Sequence, residues 1–111
     1  MSLERLRQLA EDFRSVPSAD FDELADVCRD LAINRLDVRY MVLAECLRLS
    51  ASFWGPGEGG AVSSNFADAL SRIWTAYLPG ILRASSEEEG TAVALALREE
   101  LNVLGASDPL T

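Results

Sequence analysis

The segment from Asp37 to Trp54 constrains this chain more than any other, because it is apolar on two sides at helical spacing. Placed at about 100° per residue, one arc holds Val38, Val42, Cys46, Leu49 and Phe53. A second, nearly opposite, holds Tyr40, Leu43, Ala44, Leu47, Ala51 and Trp54. Two narrow polar strips separate them, one with Glu45, Arg48 and Ser52 and a smaller one with Arg39 and Ser50. A helix with apolar surface on both sides has to be covered on both sides. It is therefore either the centre of a helical bundle or a face shared between subunits.

The flanking segments supply the cover. Residues 3–15 put Leu3, Leu6, Leu9, Ala10 and Phe13 on one stripe before Pro17 ends the pattern. Asp20-Phe21-Asp22-Glu23 resembles a capping box with acid in the first turn. The helix it starts buries Phe21, Leu24, Val27, Cys28, Leu31 and Ala32, with a stop expected at Asn34 and a new cap at Asp37. The glycine run Gly55–Gly60 breaks the chain. A fourth helix, from Ser64 to Leu78, carries Phe66, Ala69, Leu70, Ile73, Trp74 and Tyr77, until Pro79-Gly80 kinks or stops it with Ile81-Leu82-Arg83 as a last turn. Ser86 and Glu89 match a second capping box. The fifth helix, about 87–104, buries Val93, Ala94, Leu97, Leu101 and Leu104 up to Gly105, with Ala92, Ala96 and Val103 as a second strip. No strand pattern interrupts this series. The expected fold is all-α, a compact bundle of about five short helices in one domain over 1–111, with a frayed tail over 106–111.

Composition narrows the chemistry. The chain has no histidine and no lysine, and its ten basic residues are all arginine. The side chains that most often titrate or form Schiff bases near neutral pH are thus missing. A formal net charge of −8 argues against binding DNA, RNA or an anionic membrane directly. The amphipathic amino terminus does not resemble a signal peptide, and the longest uncharged stretch, Ile73–Leu82, is too short to span a bilayer. A cytoplasmic protein of bacterial or phage origin is expected, with Cys28 and Cys46 as free core residues.

Four features invite a functional reading. Asp22, Glu23, Asp26 and Asp30 share an arc of about 100° on the second helix. They form either a solvated face or an acidic surface that mimics nucleic acid, and without histidine they suit a metal poorly. Glu45 and Arg48, between the two apolar arcs, are candidate buried polar groups, or else an i,i+3 ion pair. The glycine loop precedes a helix N-terminus but lacks the lysine of a phosphate loop, so it reads as a connector. Finally, Tyr40, Leu43, Leu47, Trp54, Trp74 and Tyr77 are candidate interface residues, since aromatic side chains anchor protein contacts.

These features lead to the expectation of a non-enzymatic protein that binds another protein, as a homodimer, through helices three and four and the glycine loop, with no catalytic residues, cofactor or metal. One alternative is an acidic inhibitor that blocks a basic nucleic-acid site on a partner. Another is a small-ligand pocket between helices three and four, anchored by Glu45 or Arg48.

Overall fold

The computed structural model describes residues 2–13, 16, 20–53 and 64–106. Five helices form a bundle: α1 (Ser2–Glu11), α2 (Phe21–Arg35), α3 (Val38–Ser52), α4 (Ser64–Arg83) and α5 (Glu87–Gly105). No strand occurs among the described residues. Trp54, the glycine run 55–60 and the tail 107–111 lie outside them.

The doubly apolar α3 is the central helix. The α2 helix runs antiparallel along one side of it, and α5 runs parallel along the other. Trp74 places α4 on the face between them, where the indole Nε1–H donates to Ser50 Oγ at 2.9 Å. The α1 helix closes the remaining gap against α4 and α2. Phe13, just beyond α1, stacks on Trp74 with ring centroids 6.0 Å apart and lies 5.6 Å from the Phe21 ring. Leu6, Leu9, Leu24, Leu43, Leu47, Leu70, Leu97 and Leu101 fill the space between the helices, all buried as their spacing predicts.

The smaller polar strip of α3 turns inward. Arg39 and Ser50 are the two buried polar side chains of the described structure. Arg39 lies on Gly90 of α5 and donates through its terminal nitrogen to the carbonyls of Ile81 (2.9 Å) and Ala84 (3.1 Å), at the end of α4. Its Nε donates to Asp37 Oδ1 at 3.1 Å, and its guanidinium carbon sits 5.7 Å from the Tyr40 ring centroid. Asp37 also caps α3, accepting from the Arg39 backbone N–H. Glu87 of α5 reaches across to accept from the Val38 N–H at 2.8 Å.

This corner explains where α4 ends. Pro79 removes one backbone donor, yet the helix runs on to Arg83 without a break. Leu78 and Ile81 are fully buried on either side of the proline, and Arg39 satisfies carbonyls that the helix end leaves open. Other boundaries shift as well. The α1 helix stops at Glu11. The α2 helix passes Asn34 and ends at Leu36, which takes the left-handed conformation (φ 53°, ψ 45°) and donates its N–H to Ala32 O. Asp20 precedes α2 but makes no side-chain cap; its carboxylate accepts from Arg5 of α1 at 2.9 Å. Ser86 does cap α5, accepting from the Glu89 N–H at 3.1 Å.

Gly90 is set by contact. A Cβ there would lie 2.7 Å from Nε, 2.8 Å from Cζ and 2.9 Å from Cδ of Arg39, a side chain pinned at its far end by two carbonyls. Gly90→Ala is therefore expected to destabilise the protein, although alanine favours a helix by about 1 kcal/mol. Arg39→Ala removes the cation beside Asp37 and the donor of two carbonyls and is expected to cost about 3 kcal/mol. In the Arg39→Ala background, Gly90→Ala should change sign and stabilise. Denaturant unfolding of the four proteins in this double-mutant cycle checks all three expectations.

Candidate functional site

The residues expected at an interface lie mostly in the core. Leu43, Leu47 and Trp74 are fully buried and Tyr40 nearly so, covered by the chain's own helices. Tyr77 is half-buried against the core, and Trp54 lies outside the described residues. Among the described residues of its two apolar arcs, α3 is covered by α2, α5 and Trp74, with one exception: Val38, at the amino-terminal end, is 52% exposed. The apolar surface that suggested a subunit interface is used within the chain.

Glu45 and Arg48 are correspondingly not buried. Both are exposed, and they do not pair with each other. Glu45 accepts from Arg98 of α5 at 3.1 Å, and Arg48 donates to Asp26 of α2 at 2.7 Å. The broad polar strip of α3 is flanked by helices on both sides, so its charges reach sideways across the two seams rather than along their own helix. Such exposed pairs contribute at most about 1 kcal/mol each.

The four carboxylates of α2 are all exposed. Asp26 is flanked by Arg48 and, at 3.6 Å, by Arg29. Asp22, Glu23 and Asp30 form no ion pair among the described residues. No group of three or more His, Cys, Asp or Glu side chains among the described residues is placed to hold a metal ion. A groove of about 630 Å³ lies between α1 and α2, lined by charged side chains including Glu4, Arg5, Glu11 and Glu23 and by no aromatic ring. It differs from the aromatic pocket between helices three and four that the sequence suggested.

What the sequence did not single out is the α2–α3 corner. Six large apolar side chains are exposed among the described residues: Ile33, Leu36, Val38, Met41, Leu95 and Val103. Four of these fall within the nine residues from Ile33 to Met41. The Asp26–Arg48 pair fixes the antiparallel register of α2 and α3. Two turns, about 10 Å, further along each helix, that register sets Ile33 level with Met41. Leu36 is 83% exposed at the apex, and it is the one residue other than glycine with positive φ among the described residues. The other two of the six, Leu95 and Val103, are on α5. One signal was available in the sequence: Ile33 lies about 20° from Asp22 on the α2 wheel, an apolar residue on the acidic face.

Both cysteines are buried and free. Burial pushes the Cys28 thiol up from 9.0 to about 12. For Cys46 burial again dominates and brings it to about 12, with Arg98 pulling down and Glu45 and Cys28 pushing up. Neither is available as a nucleophile near neutral pH. In the unfolded chain a thiol loses its proton near its ordinary value, whereas the folded chain keeps it up to about 12. Stability is therefore expected to hold below pH 9 and to fall as pH rises toward 12. The Cys28→Ala, Cys46→Ala protein should lose less stability across that window, as followed by unfolding at graded alkaline pH. The native protein should react with a thiol reagent only on unfolding.

Among the described residues, no helix is long and apolar enough to cross a membrane. Compared with protein-family models, with curated proteins and with solved structures, the chain matches none.

Proposed function

We propose that this chain is a non-enzymatic interaction module that binds another protein through its α2–α3 corner. The observation that carries this is Leu36, 83% exposed and left-handed at the apex of an apolar patch formed with Ile33, Val38 and Met41. A left-handed leucine costs about 1 kcal/mol against glycine, the ordinary residue at such a helix end. Its side chain recovers nothing from packing, since it points into solvent. A position that is unfavourable for the fold on both counts suits a contact made with something else.

This replaces the two faces of α3 as the docking surface, and with them the ground for expecting a homodimer there. Self-association through the corner remains the competing occupant. A cytoplasmic setting is consistent with two thiols kept free. An acidic inhibitor of a basic nucleic-acid site is the second reading, supported by the exposure of Asp22, Glu23, Asp26 and Asp30. That mode would be indifferent to apolar substitutions at the corner, whereas corner docking would not.

Leu36→Gly separates fold from function. It is expected to stabilise the isolated protein by about 1 kcal/mol, raising Tm by several degrees. The same change should weaken binding. Quantitative affinity capture with the wild-type chain, Leu36→Gly, Ile33→Ser and a control, Val103→Ser on α5, tests this. A partner recovered at least tenfold less by both corner variants, but fully by the control, fits corner docking. Equal recovery by all four proteins would rule it out. The solution mass from light scattering distinguishes a second copy from a foreign partner.

A further inference from the structure

The apolar corner does not stand alone. On α2, Asp22, Asp26, Asp30 and Ile33 lie within about 80° of one another on the solvent side, with Glu23 at the margin. The acidic stripe therefore runs directly into the apolar patch over about 16 Å of helix. Within it only Asp26 is compensated by arginines, which leaves Asp22, Glu23 and Asp30 as open acceptors. The arginines beside this ridge are Arg29 and Arg48, both turned to Asp26, and Arg5 and Arg7 of α1, which line the groove that Glu23 borders.

From this juxtaposition we infer that the partner presents a cationic amphipathic helix that lies along α2, with its apolar end on Ile33, Leu36 and Met41 and its basic side chains against Asp22, Glu23 and Asp30. This deepens, and rests on, the corner-docking reading above. Charge selects among occupants. A second copy of this chain, at net charge −8, would bring another acidic ridge to the same surface, and an anionic or neutral helix would leave the carboxylates unpaired. A helix with a basic face and an apolar end matches both halves of the ridge, and its length need be only three to four turns, about 16–22 Å.

Three synthetic amphipathic helices about four turns long, with leucine at the same positions and lysine, glutamine or glutamate at the polar ones, serve as probes. Backbone amide shifts of the full chain report where each binds, and titration reports how tightly. The lysine peptide is expected to shift Asp22, Asp30, Ile33, Leu36 and Met41 and to bind at least tenfold tighter than the glutamine peptide. The glutamate peptide should not bind. Affinity for the lysine peptide should fall several-fold in Asp30→Asn, in Ile33→Ser and at raised salt. Equal binding of lysine and glutamine peptides at the corner would overturn the charge assignment while leaving corner docking intact. Shifts confined to other acidic sites such as Glu87–Glu89, or no binding by any peptide, would overturn the inference. Binding unaffected by both Ile33→Ser and Leu36→Gly would overturn corner docking as well. A stable dimer that covers the corner would replace the cationic helix with a second copy.

Discussion

The fold hangs on one buried guanidinium. Arg39 occupies the point where α3 begins, α4 ends and α5 begins; it bonds to Asp37 and to the end of α4 and packs on Gly90 of α5. A buried arginine is tolerable only when its donors are met and its charge is opposed. Here two carbonyls at the end of α4 meet the donors, and Asp37 opposes the charge. In exchange, the arginine closes a helix end that a proline would otherwise have weakened. The glycine at position 90 follows from it, since only a residue without Cβ lets α5 pass over that side chain. Glu87, capping α3 from α5, ties the same corner a second time.

That arrangement decides what the rest of the molecule can do. With α4 and α5 held against it at one end and Trp74 bonded to Ser50 near the other, α3 is enclosed on the faces that its sequence makes apolar. The apolar side chains left in solvent are then those the enclosure does not reach. Four of the six large ones among the described residues gather where α2 turns into α3. Leu36, in the left-handed turn that ends α2, is 83% exposed. Beside it the carboxylates of α2 remain in water because the same helix spends its other face on Phe21, Leu24, Cys28 and Ala32.

The chemistry follows the same division. Cys28 and Cys46 are inert because the core that holds them raises the cost of their thiolates. The charged side chains with partners mostly join neighbouring helices at the surface, as Arg98 does with Glu45 and Arg48 with Asp26. These contacts align the helices.

The all-α class, the number of helices and most of the core were legible in the sequence, because amphipathic periodicity and capping are local properties. Leu6, Leu24, Leu70 and Leu97 are buried where their spacing puts them, and Ser86 caps as its motif predicts. Long-range contacts were not legible. A helical wheel shows that Arg39 and Ser50 share a strip, but whether that strip meets water or α4 depends on which neighbour arrives there. The same uncertainty hid the corner: Val38 belongs by spacing to a buried arc, yet as the first residue of α3 it is 52% exposed. Local pattern by itself determined which residues prefer to be covered. Only the tertiary structure decided which of them are, because cover is supplied by segments distant in sequence and runs out at the end of the bundle.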